Sequence, residues 1–266
     1  KFPQNGFGSV SFSQVSLYQW TAGGEPSLSG AALLNLFANY NDGEKSWENS
    51  LDLGFGLIRQ GRDEDAVTKK SNDRIEFSSQ FGMKAAENWY YSGLLNFRTQ
   101  FAEGYNYPDD ENVISDFFAP AYMTTSVGMD YKPNENFHIF IAPIAGKFTF
   151  VLNDSLSSNG DFGVTPGDKF RAELGGLVKV AYKVDIMENV SLMTKADFFS
   201  NYLENPQNID VNFELLLAMK INDYLSAALS VMAIYDDDVN LLQTDDTIGP
   251  GIQVKEVFGV GLSYSF

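Results

Sequence analysis

Residues 170–184 read FRAELGGLVKVAYKV, and every second position from Phe170 to Val184 is apolar or glycine. The opposite face of this segment carries charged side chains, namely Arg171, Glu173, Lys179 and Lys183. A period of two predicts a β-strand. Strands of soluble proteins have about five or six residues, whereas a strand that crosses a bilayer at a tilt needs roughly nine to eleven. The segment therefore predicts a membrane-spanning strand with one face towards lipid.

The same alternation recurs along the chain, for example in residues 47–57, 89–101 and 209–221. Short turns alternate strictly with longer connections between these segments, which is the pattern of bacterial outer-membrane barrels. We therefore predict an all-β fold, a closed antiparallel transmembrane β-barrel of about 12 strands, with residues 1–266 forming a single domain. A change of face near Pro143 and Gly146 predicts a β-bulge in one strand.

The composition excludes several kinds of functional site. The chain has no Cys and one His, and its 18 Lys and Arg against 35 Asp and Glu give a net charge of −17. These counts exclude a disulfide scaffold, a thiol nucleophile and a multi-His metal centre, and the acidity argues against a nucleic-acid partner. Because His138 has no evident Ser partner, we expect no enzymatic activity.

Acidic clusters in the long connections, such as residues 236–238, offer oxygen ligands for Ca²⁺ or Mg²⁺. None of them has the spacing of a calcium-binding loop. A solvated acidic surface, or divalent bridges to lipopolysaccharide phosphates, is the favoured interpretation. We therefore expect no cofactor and no protein-held metal.

The last segment alternates Phe258, Val260, Leu262, Tyr264 and Phe266 with glycine and serine. An aromatic final residue, with a second aromatic residue two positions earlier, resembles the signal that the outer-membrane assembly machinery reads. Aromatic residues also concentrate at the two membrane interfaces. We expect a periplasmic aromatic girdle made of Trp47, Trp89, Tyr264 and Phe266.

Further motifs are distinctive as a set: residues 20–25 (WTAGGE) followed by 29–31 (SGA), 104–108 (GYNYP), 118–122 (FAPAY), 185–189 (DIMEN) and 205–212 (NPQNIDVN). Together they resemble an uncharacterised outer-membrane β-barrel family of Bacteroidota, over nearly the whole chain. The resemblance implies a barrel fold and a location in the bacterial outer membrane. It implies no activity and no catalytic residue.

The inward faces of the strands carry nearly balanced charges, so the acidic surplus belongs to the loops, turns and ends. Six charged residues lie towards mid-strand and should crowd the narrowest part of the lumen: Arg98, Arg171, Glu173, Lys195, Asp197 and Glu214. They could line a polar channel with weak selectivity, or they could form a plug of ion pairs that braces the wall. About twelve strands leave a narrow lumen in either case.

Two functions fit this sequence. One is a narrow passive channel for small polar solutes, and the other is a closed or plugged barrel that serves as a membrane-embedded subunit or anchor of a larger outer-membrane complex. A polar patch on the lipid-facing side would favour the complex, and Ser79 and Thr194 are only modest candidates for it. The expected partners are outer-membrane lipid and lipopolysaccharide, the assembly machinery and possible envelope-complex subunits.

The barrel makes a prediction about location. Because each strand presents one apolar face, the protein should fractionate with outer membranes and show heat-modifiable migration in detergent gels. Recovery of the protein as a soluble monomer without detergent would contradict the barrel.

Overall fold

The computed structural model describes residues 4–17, 25–61, 66–222, 224–242 and 248–265. Twelve long strands close into one antiparallel barrel, which confirms the predicted fold. These strands are β1 (Gln4–Val15), β2 (Ser27–Asn41), β3 (Lys45–Gln60), β4 (Val67–Ala86), β5 (Trp89–Thr99), β8 (Ala121–Tyr131), β9 (Phe137–Phe150), β10 (Phe170–Met187), β11 (Val190–Asn201), β12 (Asp210–Lys220), β13 (Leu225–Tyr235) and β16 (Gln253–Ser265).

The remaining elements lie in the long connections. Two short hairpins pair β6 (Gly104–Tyr105) with β7 (Val113–Ser115) and β14 (Asn240–Leu242) with β15 (Ile248–Pro250). The connection from β9 to β10 contains helix α1 (Asp154–Asn159) and a 3₁₀ turn at Asp161–Gly163. Within the part of the chain that the structure describes, no helix is both long enough and apolar enough to cross a bilayer.

The outer wall of the barrel is apolar and uncovered. Val10 on β1 remains 64% exposed and Phe258 on β16 remains 62% exposed. A soluble protein rarely leaves so large an apolar surface in water, whereas a closed barrel in lipid requires it. The apolar wall around a sheet without free edges therefore places the protein in the bacterial outer membrane.

Three short turns use the same side-chain device. The Oδ1 atoms of Asp42, Asn134 and Asn222 each accept hydrogen bonds from the backbone N–H groups two and three residues ahead. Such local bonds replace ladder bonds where the chain reverses. In the first turn, the N–H of Lys45 stabilises the carboxylate and lowers the pKa of Asp42.

Strand β9 contains the predicted bulge. Its pairing shifts against β8 between Ile144 and Ile141, and against β10 between Ala145 and Ala142. Both shifts enclose Pro143, which cannot donate a ladder hydrogen bond. The strands beside the bulge approach closely, because a Cβ atom at Gly175 on β10 would overlap the carbonyl oxygen of Ser200 on β11.

This close approach predicts the effect of adding one methyl group. Gly175→Ala should lower the free energy of unfolding by on the order of 1–3 kcal/mol, because the clash is with rigid backbone. Gly259→Ala on β16 is the matched control, since a Cβ atom there has no neighbour within 4 Å among the described residues. Urea unfolding in detergent micelles measures both, and equal stability of the two variants would contradict the packing described for β10.

Candidate functional site

The inner face of the barrel is identified by side chains that meet across it. Arg74 on β4 and Glu214 on β12 lie six strands apart in either direction around the ring. Their Nη2 and Oε1 atoms are nevertheless 3.2 Å apart. Such a contact is possible only through the interior, because neighbouring strands separate these two along the wall. The charged face of each alternating strand therefore points into the lumen.

A charge network surrounds this cross-lumen ion pair. Arg74 also pairs with Glu76 on its own strand, where its Nε atom lies 3.0 Å from Oε2 of Glu76. The other oxygen of Glu76 accepts a hydrogen bond of 3.0 Å from Nδ2 of Asn96 on β5. Glu76 and Glu214 thus hold the guanidinium from opposite sides of the lumen.

A second side-chain contact crosses the lumen, nearer to its outer end than the contact between Arg74 and Glu214. The Nζ atom of Lys255 on β16 donates to Oδ1 of Asn72 on β4 at 3.1 Å. Asn72 precedes Arg74 by two residues on the same strand, so both connections start from one side of the ring. We call the two contacts, Arg74–Glu214 and Lys255–Asn72, the lumen struts.

The outer end of the lumen holds an acidic network. Two cations form ion pairs with its carboxylates. The Nζ atom of Lys147 lies 2.7 Å from Oδ2 of Asp210 and 2.8 Å from Oδ2 of Asp236, and Arg171 pairs with Asp238. The same guanidinium donates to the carbonyl oxygen of Gly163 at 3.1 Å. Arg171 therefore ties the β9–β10 connection and the loop after β13 to the inner wall.

The periplasmic end holds a smaller cluster around Asp130, which is buried. Its carboxylate accepts a 2.7 Å hydrogen bond from Nε2 of Gln80, lies 3.3 Å from Nζ of Lys132 and contacts Nε2 of His138. Partial burial of Lys132 favours the neutral amine, but Glu48 and Asp130 outweigh it and raise the pKa of Lys132. The single histidine thus has a carboxylate as its partner in a charged cluster.

The interior is filled on one side and open on the other. Buried side chains from β5, β9, β10 and β11 pack together on the filled side, with Phe140 at 0% exposure in their midst: Leu94, Phe140, Ala142, Ala145, Leu177 and Phe199. Across the barrel, Val257 on β16 is 45% exposed and Leu33 on β2 is 43% exposed, although their register turns both inward. Exposure of an inward side chain means that unfilled space lies beside it.

The six predicted lumen residues are distributed over this interior. Lys179 and Asp197 form a 2.5 Å ion pair between β10 and β11, and Glu214 belongs to a strut. Arg98 lies over the ring of Tyr122 at 5.4 Å, and Lys195 is exposed in the lumen. Arg171 and Glu173 lie near the outer end of β10 rather than at mid-strand, because β10 begins at Phe170.

Sequence reasoning missed Arg74, Asn72 and Lys255, which form the struts together with Glu214. Arg74 lies two residues before Glu76 and therefore shares its strand face, and Lys255 shares the strand face of the glycines in the last strand. That signal places them on inward faces. It does not show that they reach one another.

The aromatic residues predicted for the girdle are described only in part. Trp47 is exposed on the outer face, where its Nε1 donates to Oγ of Ser79 at 2.9 Å. Trp89 packs on Tyr131 with ring centroids 4.7 Å apart. Phe266 lies outside the described residues, and Tyr264 is described by its backbone alone. The girdle and the assembly signal stay predictions.

No cluster of three or more His, Asp or Glu side chains within the described ranges has the arrangement of a metal site. The carboxylates of the outer acidic network form ion pairs with Lys147 and Arg171 instead.

Comparison with known proteins gives the following likenesses. Residues 12–105 match the model of a family described as "Protein of unknown function (DUF3078)". No curated protein matches the chain. Membership of the Bacteroidota family that the motifs resemble stays a prediction.

The solved structures with a similar backbone arrangement that are described next are outer-membrane proteins of low sequence identity. An outer-membrane channel from Pseudomonas putida F1 is 12% identical with a TM-score of 0.43, and the match covers 99% of this chain and 94% of the channel. The translocator domain of the autotransporter NalP from Neisseria meningitidis is 9% identical with a TM-score of 0.40, covering 99% and 87% respectively. OmpT of Vibrio cholerae is 9% identical with a TM-score of 0.34, covering 99% and 97%.

The Arg74 network predicts a loss of stability when its cation is removed. Arg74→Ala leaves Glu76 and Glu214 facing a partly buried lumen without their counter-ion, so the free energy of unfolding should fall by about 1–3 kcal/mol. Lys169→Ala is the control, because its partner Asp154 is exposed at the first residue of helix α1 and loss of their ion pair should change stability little. Urea titration of both variants in detergent micelles measures the difference. Equal midpoints would show that the network contributes nothing to folding.

Proposed function

We propose that the barrel is a narrow passive channel for small polar solutes and has no catalytic role. The open half of the lumen is the observation that supports this proposal. Inward side chains on β16, β1 and β2 remain accessible to water, whereas those on β9 and β10 are largely packed away. A continuous accessible side is what a solute path needs.

The path is bounded by chemistry that suits small polar solutes. Side chains take up little space on this side of the lumen, because the inward positions of β1 and β16 carry small residues, including Ser9, Ser11, Gly259 and Gly261. The lumen struts form the opposite boundary with charged and amide groups. A twelve-stranded ring crossed by two struts leaves room only for small molecules.

The struts also favour the second candidate, a closed barrel that acts as an anchor or subunit of a larger complex. Two side chains that meet across the diameter act as a plug if they never separate. The outer face gives this candidate less support. Ser79 accepts from Trp47 and donates to Oδ1 of Asn49 at 2.8 Å, so these lipid-facing polar groups are satisfied within the barrel.

Conductance separates the two candidates. Wild-type protein in planar bilayers should form small channels, and the double variant Arg74→Ser/Glu214→Ser should conduct more current per channel because one strut is gone. The control Lys169→Ser/Asp154→Ser removes an ion pair from a loop and should match the wild type. Silence of both the wild type and the strut variant, with heat-modifiable folding intact, would overturn the channel and favour the anchor.

A further inference from the structure

Beside the struts, Asp52 on β3 accepts a hydrogen bond from the amide of Asn35, whereas three other carboxylates are engaged by cations. Glu76 and Glu214 hold Arg74, and Asp197 holds Lys179. Lys255 differs from these cations, because the structure shows no carboxylate within 4 Å of its Nζ atom among the described residues. Its hydrogen bond goes to the neutral amide oxygen of Asn72. Within the described part of the chain, the ammonium group of Lys255 therefore has no ion-pair partner.

Lys255 also lies where a solute would pass. It is the third residue of β16, its side chain is exposed, and the inward position two residues further holds Val257 in the open half. The charges of Arg74, Asp73 and Lys70 all act electrostatically on Lys255. Of the two strut cations, Arg74 is held by two carboxylates, whereas Lys255 is held by a neutral amide.

We propose that Lys255 determines the charge selectivity of the channel and that the transported solutes are small anions, such as carboxylates or inorganic anions. This inference rests on the proposed function. An ammonium group has three N–H donors, and among the described residues Asn72 accepts from one of them, which leaves two for a passing anion. Exchange of the amide for a carboxylate oxygen would replace a neutral hydrogen bond with a charge-assisted one.

The acidic network at the outer end lies on another part of the ring. Its carboxylates lie on the side of β10, β12 and the loop after β13, where Lys147 and Arg171 hold them. The contact of Lys255 with Asn72 on β4 instead spans the side of the ring that β1, β2 and β3 form.

Reversal potentials in a KCl gradient across a planar bilayer test the proposal. The wild type should prefer Cl⁻ over K⁺, and Lys255→Gln should reduce that preference on the order of threefold, as expected for one charge at about 6 Å in water. Lys255→Arg keeps the charge and should keep the preference. Lys169→Gln is the control, because it removes a cation from an exposed loop outside the lumen.

The outcomes are distinct from those of the channel test. A cation-selective wild type, or equal reversal potentials for Lys255→Gln and wild type, would overturn the role of Lys255 and leave the channel standing. Absence of conductance in wild type and in the strut variant would overturn the channel and this inference together. Heat-modifiable migration of each variant checks folding, and the sign of the wild-type reversal potential tests the proposal even if Lys255→Gln fails to fold.

Discussion

Lipid offers no hydrogen-bond partner to a backbone N–H or C=O group, so a sheet in a bilayer must have no free edge. Pairing of β1 with β16 meets this requirement and joins the two ends of the described chain into one ring. Closure then determines the register of each strand pair, because a slip of one residue would move a row of charged side chains from the lumen face to the lipid face. The positions of all the ion pairs in the lumen follow from this closed hydrogen-bonded ring.

The size of the ring explains why one lumen can be both braced and open. Across twelve strands, an arginine and a glutamate together just span the diameter, as Arg74 and Glu214 do. Large apolar side chains such as Phe140 fill the interior on one side of that line, and small residues on β1 and β16 leave space on the other. The interior therefore combines a packed side with an accessible side.

Some contacts of the site were within reach of sequence reasoning, and others were not. Lys179 and Asp197 are neighbours in register on consecutive strands, so alternation and turn position bring them together. Arg74 and Glu214 are separated by 140 residues and by five intervening strands, and no local pattern relates them. The sequence predicted Arg171 near mid-strand, but it lies at the outer end of β10, which begins one residue before it. The error arises because an alternation pattern defines the faces of a strand more precisely than its ends.

The sequence by itself determined the period of two, the face of each strand that meets lipid and the bulge at Pro143, because these are properties of a few consecutive residues. The even strand number followed from counting the short and long connections between those segments. Only the tertiary structure decided that Arg74 meets Glu214, that Lys255 meets Asn72 and that one side of the lumen stays open. The physical reason is that distances across a barrel depend on strand number, tilt and shear together. These quantities are set by all twelve pairings at once.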